Sequence, residues 1–214
     1  MRIVDVRSLA VPEVKIIEFF RYRDHRGYFT ETFRRQVMDE MLEFLRGTEF
    51  VQGNESHSHR GVIRGLHFQW NPYMGKLVRV IQGRMIDFAL DVRTGSATFG
   101  KIVAYDLNQT PDAQTGQWIW VPPGFAHGCL FCEDSTIEYL CTGKYNPACE
   151  AAISPFSEDI DWSLCDPVLR AVFEELSTCT RRDGLVSDKD RDGLTLTQWA
   201  SDPRSENFVY GQMG

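Results

Sequence analysis

A chain of 214 residues, 43% hydrophobic and 25% charged, holds enough apolar side chain for a real core, and 9 prolines are too few for a collagenous or disordered chain. The formal net charge of −7 argues against broad binding to nucleic acid or an anionic membrane, although a local basic pocket could still hold a small anion. No window reaches the roughly 18 apolar residues of a membrane span, and MRIVDVRSLAVPEVKIIEFF lacks the layout of a signal peptide, so a cytoplasmic location is expected.

In chain order, RRQVMDEMLEFLRG (34–47) predicts a helix with Val37, Met41, Phe44 and Leu45 on its apolar face and Gly47 at its stop. From about Phe50 to Tyr145 the chain alternates short β-branched or aromatic runs with glycine and Asn/Asp turns: GVIRGLHFQW, KLVRVIQG, RMIDFALDVR, GKIVAYDL and GQWIWVPPG. That spacing predicts an all-β sandwich or barrel. RMIDFALDVR reads as a half-buried strand, with Ile86, Phe88, Leu90 and Val92 on one face and Asp87, Asp91 and Arg93 pointing the other way.

A second helix is predicted over DPVLRAVFEELSTC, with Asp166 as N-cap and Pro167 in the first turn. The polar tail carries Leu194, Leu196 and Trp199 and is expected to dock. With no repeat and no Gly/Ser/Pro-rich linker, residues 1–214 read as a single domain, residues 163–214 forming a helical and loop extension packed on it. Six cysteines stand without a regular framework; Cys129 and Cys132 form a C-x-x-C with no second pair at zinc-site spacing, so all six read as free thiols.

The segment HSHRGVIRGLHFQ (57–69) concentrates three of the five histidines. Together with His127, His57, His59 and His67 could serve a metal-dependent cupin oxygenase, but no carboxylate follows the H-x-H until Asp87. An acid/base reading needs a base, an acid, a cation for developing charge and anchors for substrate. RGLH offers Arg64 and His67 three positions apart, which a plain strand would place on opposite faces; Gly65 between them is where a bulge could turn both into one cavity. Lys76, Arg79, His127 and Tyr139 complete the inventory.

DHRGYFTETF (24–33), VQGNESHSHRGVIRGLHFQ (51–69), GKLVRVIQGRMIDFALDVRTGSATFGK (75–101), VPPGFAHG (121–128), YLCTGKYNP (139–147) and SDKD (187–190) together resemble the dTDP-4-dehydrorhamnose 3,5-epimerase family. The resemblance implies an all-β, cupin-type jelly-roll barrel with a few peripheral helices, free of metal and cofactor, dimerising by strand exchange. It also implies inversion of C3 and/or C5 of a nucleotide-diphospho-4-keto-6-deoxy sugar. The implied catalytic residues are His67 as base, Asp190 as its carboxylate partner, Tyr139 as acid and Lys76 as the cation beside O4, with Asp188 the nearest competitor of Asp190. The implied substrate contacts are Arg26, Phe29 and Glu31, reaching the nucleotide in the partner's site, with Gln52, Asn54, Arg64 and His127. The chain departs from the family where residues 163–186 run longer before the S-x-K-D motif, and where Cys129 follows AHG in place of a common bulky aromatic. The alternatives are epimerisation at one carbon only and a sugar-nucleotide-binding protein without turnover.

Overall fold

The computed structural model describes residues 1–213. The chain opens with β1 (Ile3–Ser8) and β2 (Lys15–Phe20), makes a small hairpin of β3 (Tyr22–Asp24) and β4 (Gly27–Phe29), and enters α1 (Arg35–Met41). Strands β5 (Gln52–Ser58), β6 (Ile63–Gln69), β7 (Lys76–Asp91), β8 (Ile102–Gln109), β9 (Thr115–Val121), β10 (Phe125–Phe131), β11 (Ser135–Cys141) and β12 (Glu150–Ala152) follow. The tail holds α2 (Pro167–Arg182), α3 (Asp188–Arg191), α4 (Leu196–Ser201) and a 3-10 turn over Pro203–Phe208.

These strands form the expected all-β jelly-roll barrel with peripheral helices. KLVRVIQG and RMIDFALDVR, read separately in the sequence, are one strand that belongs to both walls. The first half of β7 pairs with β9 and β11, and its second half with β8 and β10. The turn from one wall to the other falls at Gly83, whose φ of +94° is open to glycine at little cost. One wall runs β1-β2-β9-β7-β11-β5 and the other β8-β7-β10-β6-β12.

Three apolar layers explain the patterning. Val78, Val80, Met85, Ile119, Phe125, Phe131 and Ile137 fill the barrel interior. Outside the first wall, Trp118, Trp120, Ile17 and Phe19 pack on the α1 region. Outside the second, Ile86, Phe88 and Leu90 pack on Phe173 and Leu176 of α2 and on Trp199 and Phe208 of the tail. Both faces of the central strands are therefore covered, which is why QWIWV and FAHGCLF carry almost no solvent-facing residue.

This arrangement corrects the reading of RMIDFALDVR as half-buried. The alternation holds, but Asp87 and Asp91 are fully buried and Arg93 nearly so, because they face the barrel side while the apolar set faces the helices outside. Asp91 meets its burial cost by accepting from the Arg93 guanidinium, Ser96 and Thr98. The first helix is also corrected: α1 ends at Met41, Leu42 is extended, and a 3-10 turn spans Glu43–Leu45. The break puts Met38, Leu42 and Leu45 on the buried face, while Met41, expected inside, is exposed.

The second helix starts as read, with Asp166 accepting from Val168 N and Pro167 in the first turn, and extends to Arg182. The tail docks: Trp199 is fully buried and its Nε1 donates to Val92 O. The six cysteines are free thiols, three of them buried. No helix among the described residues is long and apolar enough to cross a membrane.

Candidate active site

The bulge in RGLH is present. Across from β6, His127 of β10 pairs with His67 while Cys129 pairs with Arg64, so three steps on one strand oppose two on the other. Gly65 makes this possible: its φ is +108°, and a Cβ there would sit 2.5 Å from His127 O. With the extra residue absorbed, Ile63, Leu66 and Phe68 face the outer core and Arg64 and His67 share the interior.

His67 meets Asp190, delivered by α3 from the far end of the chain. Its Nε2 lies 2.6 Å from Asp190 Oδ1, and Asp190 Oδ2 accepts from Gly65 N at 3.2 Å. One carboxylate thus grips both the ring and the bulge that aims it. With Nε2–H donating to Asp190, the ring's lone pair is left on Nδ1. Burial would raise the Asp190 carboxyl, but the bonds from His67 and Gly65 N hold it below the ordinary range. Asp188 stands exposed and pairs with Arg191.

Two connected lobes share His67, Lys76, Tyr139 and Lys189. The first, about 540 Å³, adds Ser56, Arg64, His127, Cys129, Ile137, Asp190 and residues 184–187. The second, about 380 Å³, adds Gln52, Asn54, Gln69, Met74, Cys141, Tyr145 and Glu150. Burial pushes the Tyr139 phenol up, and the neighbouring Cys141 and Cys129 add to the rise while Arg64 opposes it. Burial pulls the Lys76 ammonium below its usual value, opposed by Cys141, Cys129, Glu150 and Asp87. His127 is also lowered by burial, although its Nε2 bonds Asp87 Oδ2 at 2.8 Å. The Cys129 thiol is driven strongly upward and stays protonated.

Of the residues singled out in the sequence, His67, Lys76, Tyr139, Asp190, Arg64, His127, Gln52 and Asn54 converge on these lobes. Arg26, Phe29 and Glu31 do not. Arg26 pairs with Asp24, Phe29 is 71% exposed, and Glu31 pairs with Arg34 on the N-terminal side. His57 and His59 line neither lobe and contact Thr136 and Asp134 at the surface. Among the described residues no three or more His, Cys, Asp or Glu groups are gathered as a metal would need.

Sequence reasoning missed four polar participants. Asp87, assigned to the outside of its strand, holds His127 from within. Lys189 contacts Glu150, which accepts from Tyr145 Oη at 3.0 Å, and Tyr145 N donates to Gln52 Oε1. Lys189, Tyr145 and Asp87 lay inside the quoted SDKD, YLCTGKYNP and GKLVRVIQGRMIDFALDVRTGSATFGK segments; Glu150 carried no local signal.

The family described as dTDP-4-dehydrorhamnose 3,5-epimerase matches residues 8–198. A dTDP-4-dehydrorhamnose 3,5-epimerase of Methanothermobacter thermautotrophicus is 39% identical over 198 residues, covering 91% of each chain. The crystal structure of the dTDP-6-deoxy-D-glucose-3,5-epimerase of Legionella pneumophila, in complex with dTDP-4-keto-L-rhamnose, aligns with TM-score 0.71 and 33% identity over 90% of this chain and 93% of that one. A 3'-monoepimerase from Streptomyces bikiniensis in complex with dTDP aligns with TM-score 0.74 and 26% identity over 97% of this chain and 94% of that one. On this likeness of sequence and fold, the chain belongs to the dTDP-4-dehydrorhamnose 3,5-epimerase family and is an isomerase.

Proposed function

We propose that this protein inverts C3 and C5 of dTDP-4-dehydro-6-deoxy-D-glucose, giving dTDP-4-dehydro-L-rhamnose, with His67 as base and Tyr139 as acid. The observation that carries this reading is that the two residues come from opposite walls, β6 and β11, and line one cavity with Lys76. The C4 ketone acidifies the protons on C3 and C5. His67, its neutral ring oriented by Asp190, takes one; the C–H electron pair moves into the carbonyl and leaves an enolate with charge on O4. Lys76 stabilises that charge, a role in which a preorganised cation is most effective. Tyr139, kept protonated by its raised pKa, returns a proton to the opposite face of the same carbon. Solvent restores both groups, so the net change is one inverted centre per cycle.

The second lobe suits the nucleotide: Tyr145 offers a ring for stacking, and Lys189, between the lobes, offers a cation to the diphosphate. The exposed Phe29 beside Arg26 supports strand exchange in a homodimer, with Arg26, Phe29 and Glu31 completing the other copy's site. The likeness to a monoepimerase keeps inversion at one carbon as the second reading.

NMR of dTDP-4-keto-6-deoxyglucose in heavy water tests both readings. Deuterium should enter at C3 and at C5, and His67→Asn and Tyr139→Phe should each cut exchange by about 10²–10⁴ without unfolding the protein. Label at a single carbon establishes the second reading, and no label with the wild type overturns both.

A further inference from the structure

Part of the catalytic lobe's wall is apolar, made by Val62, Cys129, Ile137, Leu185 and Val186. Three of these come from barrel strands or their connections, but Leu185 and Val186 arrive at the end of the long 163–186 stretch. They are fastened there. Buried Thr180 Oγ1 donates to Gly61 O at 2.6 Å, Leu185 N donates to Thr180 O, and Ile63 N donates to Leu185 O. Val186 bridges Ile63 in parallel, and Leu185 Cδ1 lies 3.1 Å from where a Gly61 Cβ would stand. On the far side Ser187 caps α3, whose Asp190 holds His67. The segment is therefore a fixed wall of the cavity, anchored before and after Leu185.

We propose that Leu185 is a specificity-determining residue, seating the methyl group on C5 of the 6-deoxy sugar against the apolar wall. This inference rests on the epimerase reading and deepens it. A methyl group placed on Leu185, Val62 and Ile137 leaves water for apolar contact, whereas a sugar lacking it leaves that wall unfilled. Cys129 contributes room, being small where the family commonly has a bulky aromatic.

The test compares kcat/KM for deuterium exchange at C3 with two substrates, dTDP-4-keto-6-deoxyglucose and the dTDP-4-keto pentose that lacks the methyl carbon. Wild type should favour the methyl-bearing sugar by about tenfold. Leu185→Ala should reduce that preference to less than about threefold, Leu185→Met should keep it, and calorimetric Kd for dTDP alone should stay within about twofold for both variants. Equal losses on both substrates would mean that Leu185 acts only through the support of Asp190, and would overturn the proposal. So would a wild type indifferent to the methyl. A wild type that exchanges neither sugar overturns the epimerase reading itself, and the inference falls with it.

Discussion

Lys76 and Tyr139 are displaced in opposite directions by the same cause. Burial penalises whichever form carries charge, so it lowers an ammonium and raises a phenol. For a reaction through an enolate both shifts have consequences. Tyr139 remains a proton donor past the ordinary tyrosine value, so it does not set the alkaline limit of activity. In the proposed mechanism Lys76 does: its charged form is present at low pH and is lost as pH rises through a value below the usual lysine range. The alkaline limb of kcat should therefore fall below about 10.4. Lys76→Arg should move that limb upward, whatever its effect on the plateau, because guanidinium stays charged; a pH–rate profile of both enzymes checks it. If the limb stays in place, Lys76 is not the group that titrates.

Among the elements, the loop before α2 and the short helix α4 are joined by a single carboxylate. Asp159 accepts from Leu196 N at 3.1 Å, from Thr197 N and Oγ1 at 2.8 Å each, and from Ser157. Burial would raise its pKa, but these bonds hold it to about 2. A carboxyl lower in the folded chain than in the unfolded one contributes stability above its ordinary value, and that contribution disappears as pH falls through the folded value. Asp159→Asn should accordingly lower Tm by a few degrees near neutrality, with the gap closing between about pH 4 and 2; melting curves across that range decide it. Elements with strong local signals were legible beforehand: Asp166 and Pro167 marked the start of α2, and Gly65 marked the bulge in β6. The α1 region was misread because apolar residues from Val37 to Leu45 fit two helical registers, and only packing against Trp118 and Ile17 selects the one that buries Met38 and Leu42.

At the scale of the molecule, the N-terminal hairpin stands apart from the cavity, although Arg26, Phe29 and Glu31 are the residues that the family resemblance sends to a nucleotide. If two copies share their sites, the Arg26→Ala and His67→Asn variants should each be weakly active alone. Mixed and allowed to exchange subunits, they should recover roughly a quarter of wild-type activity, since about half of the dimers would be mixed and each of those holds one complete site. Absence of recovery in verified mixed dimers would place Arg26 outside the other copy's site.

By itself the sequence determined the β-rich architecture, the alternation along RMIDFALDVR, the N-cap of α2 and the bulge that lets Arg64 and His67 share a face, because each depends on residues within one turn or one strand. Only the tertiary structure decided that Asp87 and Asp91 are buried, since alternation separates two faces without saying what covers each. It alone decided that Asp190 rather than Asp188 meets His67, across 123 positions of chain, and that residues 184–187 wall the cavity. Those contacts close long loops, and the stability that holds them comes from α2 and the tail packing on the second wall of the barrel, which no local stretch encodes.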